Sequence, residues 1–355
     1  MAGYQAIARK TMPYEILVPD FFEPVARLKE LFAQLINVVD PQRIAVVPSV
    51  SYGISSVVKN VRIRPGQHVV VVDEIFPSNY YPWRRLTQEN GAEIKVVKRP
   101  ESSDGRGKAW NERLLEAIDN QTVAVAMPNV HWADGTWFDL AAIRRRTNEV
   151  GALLIVDGTQ SVGALPFDVA AIQPDALVCG TYKWLLGPYS MGLAFFGEKF
   201  DNGTPIEENW INRMGSEQFE NLTLYQDAYK PGAHRYCMGE NSQFIGVPML
   251  MAALELLLGW GVANIQEYCK QLTAPYIEQL TGLGCEVEAQ AYRSSHLFGI
   301  RLPKGVDMDA VKKATLRRNV FVSYRAGAMR ISPHLYNEAK DFERLVEAVE
   351  SVFKQ

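Results

Sequence analysis

No run of like charge interrupts this chain, and that absence excludes a good deal. Its 37 lysines and arginines and 40 aspartates and glutamates leave a net charge of −3. No basic stretch offers a phosphate backbone a footprint, so nucleic acid is not an expected partner. No apolar run reaches the roughly 20 residues of a membrane span. The first ten residues, Met-Ala-Gly-Tyr-Gln-Ala-Ile-Ala-Arg-Lys, lack the apolar core of a signal peptide. Cysteine is scarce: Cys179, Cys237, Cys269 and Cys285 are scattered, without Cys-x-x-Cys spacing. That disfavours a disulfide framework and a metal site, and reads as buried free thiols in a reducing compartment, hence a cytoplasmic protein. No Gly-x-Gly-x-x-Gly follows the first apolar run, which discounts a nicotinamide-binding dehydrogenase. Internal repeats and low-complexity segments are also missing.

What is present is an alternation. Of 355 residues, 47% are hydrophobic, enough for one large core and a smaller one. Apolar positions at helical spacing run over about 20–38. Short β-branched runs then alternate with helical stretches. The runs are Ile44–Val47, Val69–Val72, Glu93–Val97, Val123–Met127, Leu153–Val156, Ala176–Cys179 and Met191–Phe196. Helices are predicted near 52–60, 79–89, 109–119, 139–149 and 168–172. This pattern predicts an α/β fold with a doubly wound, mostly parallel seven-stranded sheet. After about residue 243 the alternation gives way to two long helices, then short strands and helices, as in a small α+β domain. The expected organisation is an N-terminal segment 1–20, a large domain 21–255 and a small C-terminal domain 256–355.

Two residues stand out. Asp157 ends Leu154-Ile155-Val156-Asp157, and Lys183 follows Val178-Cys179-Gly180-Thr181-Tyr182. Each closes an apolar run that reads as a buried parallel strand, and parallel strands put their carboxyl ends on one sheet edge, where α/β proteins bind ligands. Either residue alone is an ordinary strand-end charge. Together they bring a carboxylate and an amine to one crevice, as pyridoxal phosphate requires: the lysine forms the Schiff base, and the aspartate keeps the pyridine nitrogen protonated.

With Gln160 just after the aspartate and Gly187-Pro188 just after the lysine, these motifs resemble the fold-type I pyridoxal phosphate enzymes, specifically the class V aminotransferase family. That family includes cysteine desulfurases, kynureninases and isopenicillin N epimerase-like proteins. The resemblance runs from about residue 40 to the C-terminus and implies further roles. Val50 and Ser51, at a turn before a helix starting near Tyr52, would hold the cofactor phosphate. Phe76 would stack on the pyridine ring. Asn129 would reach the phenolic oxygen or the substrate, and Gln160 that oxygen. Tyr182 would reach the phosphate, and Thr181 would supply a hydroxyl where desulfurases have serine at Gly180. His131 and Trp132 would face the substrate. Arg330, in Arg330-Ile331-Ser332-Pro333-His334-Leu335-Tyr336-Asn337, would fork onto the substrate α-carboxylate, with Arg325 as second candidate.

The resemblance also implies a homodimer, with the apolar segment around Phe244–Leu250 as interface material. Two departures matter. Glu240 stands where relatives carry a threonine that reaches the partner's cofactor phosphate, and an N-terminal pocket segment with an Asn-x-Ala-type motif has no counterpart, which implies a shortened chain or an open pocket. The desulfurase nucleophile is missing as well: Ser323-Tyr324-Arg325-Ala326-Gly327-Ala328-Met329 holds no cysteine. The reading is therefore an amino-acid enzyme working at Cα through Lys183, foremost an aminotransferase. A β-lyase or an epimerase of the same family is the alternative, and a non-catalytic relative a further one.

Overall fold

Seven apolar runs become one sheet. In the computed structural model, which describes residues 1–101, 105–325 and 327–353, they are β1 (Ile44–Val47), β2 (His68–Val72), β3 (Glu93–Val97), β4 (Thr122–Pro128), β5 (Leu153–Asp157), β6 (Ala176–Gly180) and β7 (Gly192–Phe196). Their spatial order is β1-β7-β6-β5-β4-β2-β3. All neighbours run parallel except β7, which is antiparallel to both β1 and β6. The central strands are apolar on both faces because helices cover both, which is why they read as continuous runs rather than alternations.

Between the strands lie α3 (Val50–Val58), α4 (Pro77–Glu89), α5 (Arg106–Ala117), α6 (Leu140–Val150) and the single-turn α7 (Val169–Ile172). Helix α3 begins two residues before the expected start. Ser49 is its N-cap, its Oγ accepting from the Tyr52 amide at 3.1 Å. The sheet's two edges are protected differently. The β3 edge carries Glu93 and Lys95, charges that discourage further pairing. The β1 edge is wholly buried: the chain at 236–238 runs along it, with Met238 N donating to Val46 O at 2.9 Å.

The N-terminal segment forms α1 (Ala2–Lys10), which packs on α8 (Gly246–Trp260), as does α2 (Glu23–Leu35). Val247 and Leu250 of α8 are thus buried inside this chain's own core, while Phe244 and Pro248 are half-buried and Ile245 and Met249 exposed. The segment Phe244–Leu250, expected as interface material, turns one side into this chain and leaves another outward. Phe244 itself packs edge-on against Phe21 at 5.0 Å.

Helix α9 (Val262–Gly282) then links two cores. Ile265 and Cys269 pack into the large one, Tyr276 and Leu280 into the small one. The small unit is an antiparallel sheet, in the order β10-β11-β9-β8, of β8 (Glu286–Val287), β9 (Phe298–Arg301), β10 (Ser323–Arg325) and β11 (Ala328–Ile331). It is backed by α10 (Met308–Arg317) and α11 (Ala339–Phe353). Packing therefore passes from the large core to the small one along α9. No single helix among the described residues is long and apolar enough to cross a membrane.

The loop after β4 docks directly on the small unit. Trp137 N donates to Tyr292 O at 2.9 Å. Gly135, at φ +75°, lies where a Cβ would come within 2.2 Å of Leu297 O. Backbone meets backbone there, so neither side can yield, and the left-handed conformation adds its own cost to any side chain. Gly135→Ala should therefore lower unfolding stability by about 2 kcal/mol, read as a shifted urea midpoint. An unchanged midpoint would show that the two units are not held together by this contact.

Candidate active site

The carboxyl edge of the sheet opens into a crevice of about 280 Å³, lined among others by Ser49, Val50, Ser51, Phe76, Ser78, Trp132, Asp157, Thr159, Gln160, Tyr182 and Lys183. Its residues come from separate elements. Asp157 is the last residue of β5, paired with Val178 of β6. Lys183 lies in the reversal between β6 and β7. Phe76 precedes α4, and Ser49 to Ser51 begin α3.

Asp157 is braced on both oxygens. Asn79 Nδ2 donates to Oδ2 at 2.5 Å and the Thr159 amide donates to Oδ1 at 2.9 Å. Asn79 is buried, on a helix face shared with Trp83 and Thr87. Sequence reasoning missed it. The available signal was a polar residue four positions before a tryptophan, on the stripe that an α-helix turns inward. Two donors fix this half-buried carboxylate in one orientation.

Lys183 Nζ has neither an ion pair nor a hydrogen bond among the described residues. It lies 5.9 Å from the centre of the Phe76 ring and 5.7 Å from that of Tyr182. Burial lowers its pKa from the ordinary lysine value, Asp157 pulls it back up, and the charge of Arg330 lowers it again. The loop that carries it is tightly fixed. Thr181 Oγ1 donates within the loop to Pro188 O at 2.7 Å and Met191 O at 2.9 Å, and Gly187 N donates to Thr181 O at 2.8 Å. Leu186 (φ 55°) and Ser190 (φ 63°) hold left-handed conformations that side chains rarely adopt. Gly163, at φ +100°, lies under Trp184, where a Cβ would come within 2.3 Å of Trp184 O.

The remaining expected residues divide. Gln160 lines the crevice, its Oε1 accepting from Trp184 Nε1 at 3.2 Å. Its carbonyl is met by His296 Nε2 at 2.7 Å, so the small unit presses on it directly. Trp132 also lines the crevice. Its ring meets Phe76 edge-on at 5.6 Å, and its indole N–H donates to Glu74 O at 2.7 Å. Tyr182 is exposed at the rim beside Tyr189, with ring centres 4.6 Å apart. Ser51 is exposed, its hydroxyl 2.9 Å from that of Ser49, so Ser49 caps the helix and Ser51 is left free to face a ligand.

Three expected residues are turned elsewhere. Asn129 Nδ2 donates to Phe138 O at 3.3 Å and the residue does not line the crevice. His131 is fully buried, 3.2 Å from Asp134 Oδ1 on one nitrogen and 3.2 Å from Asp73 O on the other. It is a satisfied core histidine that fixes loops. Thr181 spends its only proton on the loop carbonyls, as above, and is fully buried. Thr159, buried in the crevice wall with its Oγ1 accepting from the Gly180 amide at 3.0 Å, occupies the space where that hydroxyl was expected.

Arg330, on β11, reaches across from the small unit. One of its terminal nitrogens donates to Trp132 O at 2.7 Å, while its buried Nε has no partner; the residue stands behind the crevice lining, close enough for its charge to act on Lys183. Arg325 is exposed and bonds its neighbour's carbonyl, Tyr324 O, at 2.8 Å, so of the two arginines it is the one turned to solvent. The four cysteines are buried. Burial raises the thiol pKa of Cys269 to about 12 and of Cys285 to about 11, and with the Asp157 charge it raises that of Cys179 well above the ordinary value. No group of side chains that could hold a metal ion occurs among the described residues.

Comparison with known proteins places this arrangement. A family profile described as Aminotransferase class-V matches residues 17–345. An uncharacterized aminotransferase of Bacillus subtilis is 29% identical over 322 residues, covering 90% of this chain and 81% of the relative. A cystine C–S lyase in complex with its product superposes with a TM-score of 0.84 at 18% identity, covering 99% of this chain and 93% of the other. The cysteine desulfurase CsdA of Escherichia coli superposes with a TM-score of 0.80 at 19% identity, covering 99% and 91%.

The crevice electrostatics make a prediction that needs no turnover. In competitive acylation across pH, Lys183 should titrate below an ordinary lysine. Asp157→Asn removes the charge that raises its pKa and should move the midpoint lower still. Arg330→Met removes a charge that lowers it and should move the midpoint up. Shifts of the opposite sign would contradict this placement of the three charges.

Proposed function

Because the chain belongs to the class V aminotransferase family of pyridoxal phosphate enzymes, we propose that it is an aminotransferase working at the Cα of an amino acid. The observation that carries this is the pairing of an unpartnered, partly desolvated amine at Lys183 with a doubly braced carboxylate at Asp157 in one crevice. That donor set fits the cofactor. Asp157 would meet the pyridine nitrogen and Phe76 would flank the ring. The free amides and Ser51 hydroxyl at the start of α3 would face the phosphate, where a helix N-terminus favours an anion.

When bound, pyridoxal phosphate supplies an aldehyde and an electron-withdrawing ring. The protein's part follows from its own groups. Asp157 would hold a proton on the ring nitrogen, and Asn79 and the Thr159 amide stop the carboxylate from turning away. Lys183 would hold the cofactor through its amine, and that amine, with no other partner in the crevice, would carry the proton between Cα and the neighbouring atom. A lowered pKa suits both tasks, because more of the amine is free base near neutrality. Phe76 contributes an aromatic face and no transferable proton, so acid–base work rests on Lys183. Arg330, with an unsatisfied Nε beside the crevice, would receive the α-carboxylate.

Persulfide chemistry is the reading least supported. The four cysteines are buried, Cys179, Cys269 and Cys285 with raised pKa values, and β10 ends at Arg325 with β11 starting at Ala328, so no long loop precedes Arg330. β-Elimination remains the second reading, favoured by the fold shared with a cystine C–S lyase; epimerisation is the third.

A single-turnover experiment with a panel of amino acids separates these. Transamination should convert the bound cofactor to its amine form and release a 2-oxo acid. Elimination would release pyruvate without consuming cofactor, and epimerisation would only exchange and invert the Cα proton. Borohydride fixation should label Lys183, and Lys183→Ala should lose label and turnover together. A label at another lysine would sink the assignment.

The chain is further proposed to act as a homodimer. Trp210, Met214, Leu224 and Tyr225, on the irregular stretch 205–231, leave 41%, 47%, 63% and 91% of their surface exposed. That is an apolar patch a monomer rarely carries. Light scattering should give twice the chain mass, and a cofactor-loaded monomer at micromolar concentration would refute it.

A further inference from the structure

A second cavity, of about 530 Å³, lies between α2, the turn at 40–42 and the stretches 211–217 and 230–234. It shares no lining residue with the Lys183 crevice. Its walls include Phe21, Phe22, Val25, Ile211 and Met214, and at its base lies Lys29. This lysine is only 2% exposed. Its Nζ lies 3.3 Å from His234 Nδ1 and has no carboxylate partner among the described residues. The carboxylates around the cavity are already engaged or face solvent: Glu217 pairs with Lys230, Glu30 with Arg27, and exposed Asp40 caps the turn at the Gln42 amide.

We propose that this cavity binds a small carboxylate with an apolar body, its carboxylate received by Lys29. A buried ammonium without a counter-charge is costly, and a ligand carboxylate supplies one. His234 does not compete for it as a cation, since burial and the Lys29 and Lys230 charges push its pKa down to about 3. The aromatic wall is built for such a ligand's other end, with the Lys230 ammonium already 4.3 Å above the Phe22 ring. The volume falls in the range of small-molecule pockets. No carboxylate of this chain supplies that counter-charge among the described residues; burial and the Lys230 charge both lower the Lys29 pKa, and the buried Cys237 thiol supports the cation against them.

The test is calorimetric titration of the cofactor-loaded protein with benzoate, phenylacetate and 3-phenylpropionate. The expected result is saturable binding of at least one of them that leaves the visible absorption of the Lys183 site unchanged. Lys29→Met should weaken it by about tenfold or more, and the matching amide probe should bind correspondingly worse. If no probe binds at millimolar concentration, or if Lys29→Met binds as tightly as the parent, the proposal is overturned. Should Lys29→Met fail to fold, Ala26→Trp at the exposed rim decides: the added ring should block binding, and undiminished binding would overturn the proposal.

Discussion

One reversed strand organises the molecule. β7 is hydrogen-bonded antiparallel to β6 on one side and β1 on the other, so the chain leaving β6 must turn back over the sheet edge at once. That turn is the loop that carries Lys183. Because β7 is reversed, β1 points the same way as β6, and its carboxyl end delivers Ser49, Val50 and Ser51 to the same edge. The hairpin geometry explains why Thr181 is used as a clasp across its base and why Leu186 and Ser190 tolerate left-handed backbone. Those costs of about 1–3 kcal/mol each are sustained by the surrounding hydrogen bonds and buried strands.

The second dependence is between the two units. Gln160 receives Trp184 from the lysine loop and His296 from the small unit, while Arg330 reaches back to Trp132. The crevice is therefore closed by contacts that exist only when both cores are assembled. Burial keeps His296 neutral, its pKa pushed down to about 4. Gln266 donates to its Nδ1 at 2.7 Å, so Nε2 is the nitrogen that carries the proton toward Gln160 O.

Much of this was legible in the sequence. The strands match their apolar runs within a residue or two, because a buried parallel strand needs an unbroken apolar run between turn signals. Position alone brings Asp157 and Lys183 to one crevice, since strand ends fix which edge a residue reaches. Position does not fix where a side chain turns. Asn129 and Thr181 sit at or just beyond strand ends yet bond to nearby carbonyls, and His131 finds two partners in the interior. Asn79 gives no such signal: it lies inside α4 rather than at a strand end, and only its burial beside Trp83 and Thr87 marks it. The start of α3 was misplaced because Ser49, rather than Ser51, offered its hydroxyl to the free amides.

The pairing of Ile44 with Phe195 also sets a timetable. During synthesis β1 leaves the ribosome with its apolar residues ready to pair, but its only sheet partner is the last of the seven strands. At about 5–20 residues per second, that partner follows on the order of ten seconds later, and the stretch at 236–238 that covers its other edge follows later still. Through that interval α2, already made, is the available cover for β1. A four-residue strand is short enough to wait, whereas a longer one would expose an apolar edge to every neighbouring nascent chain.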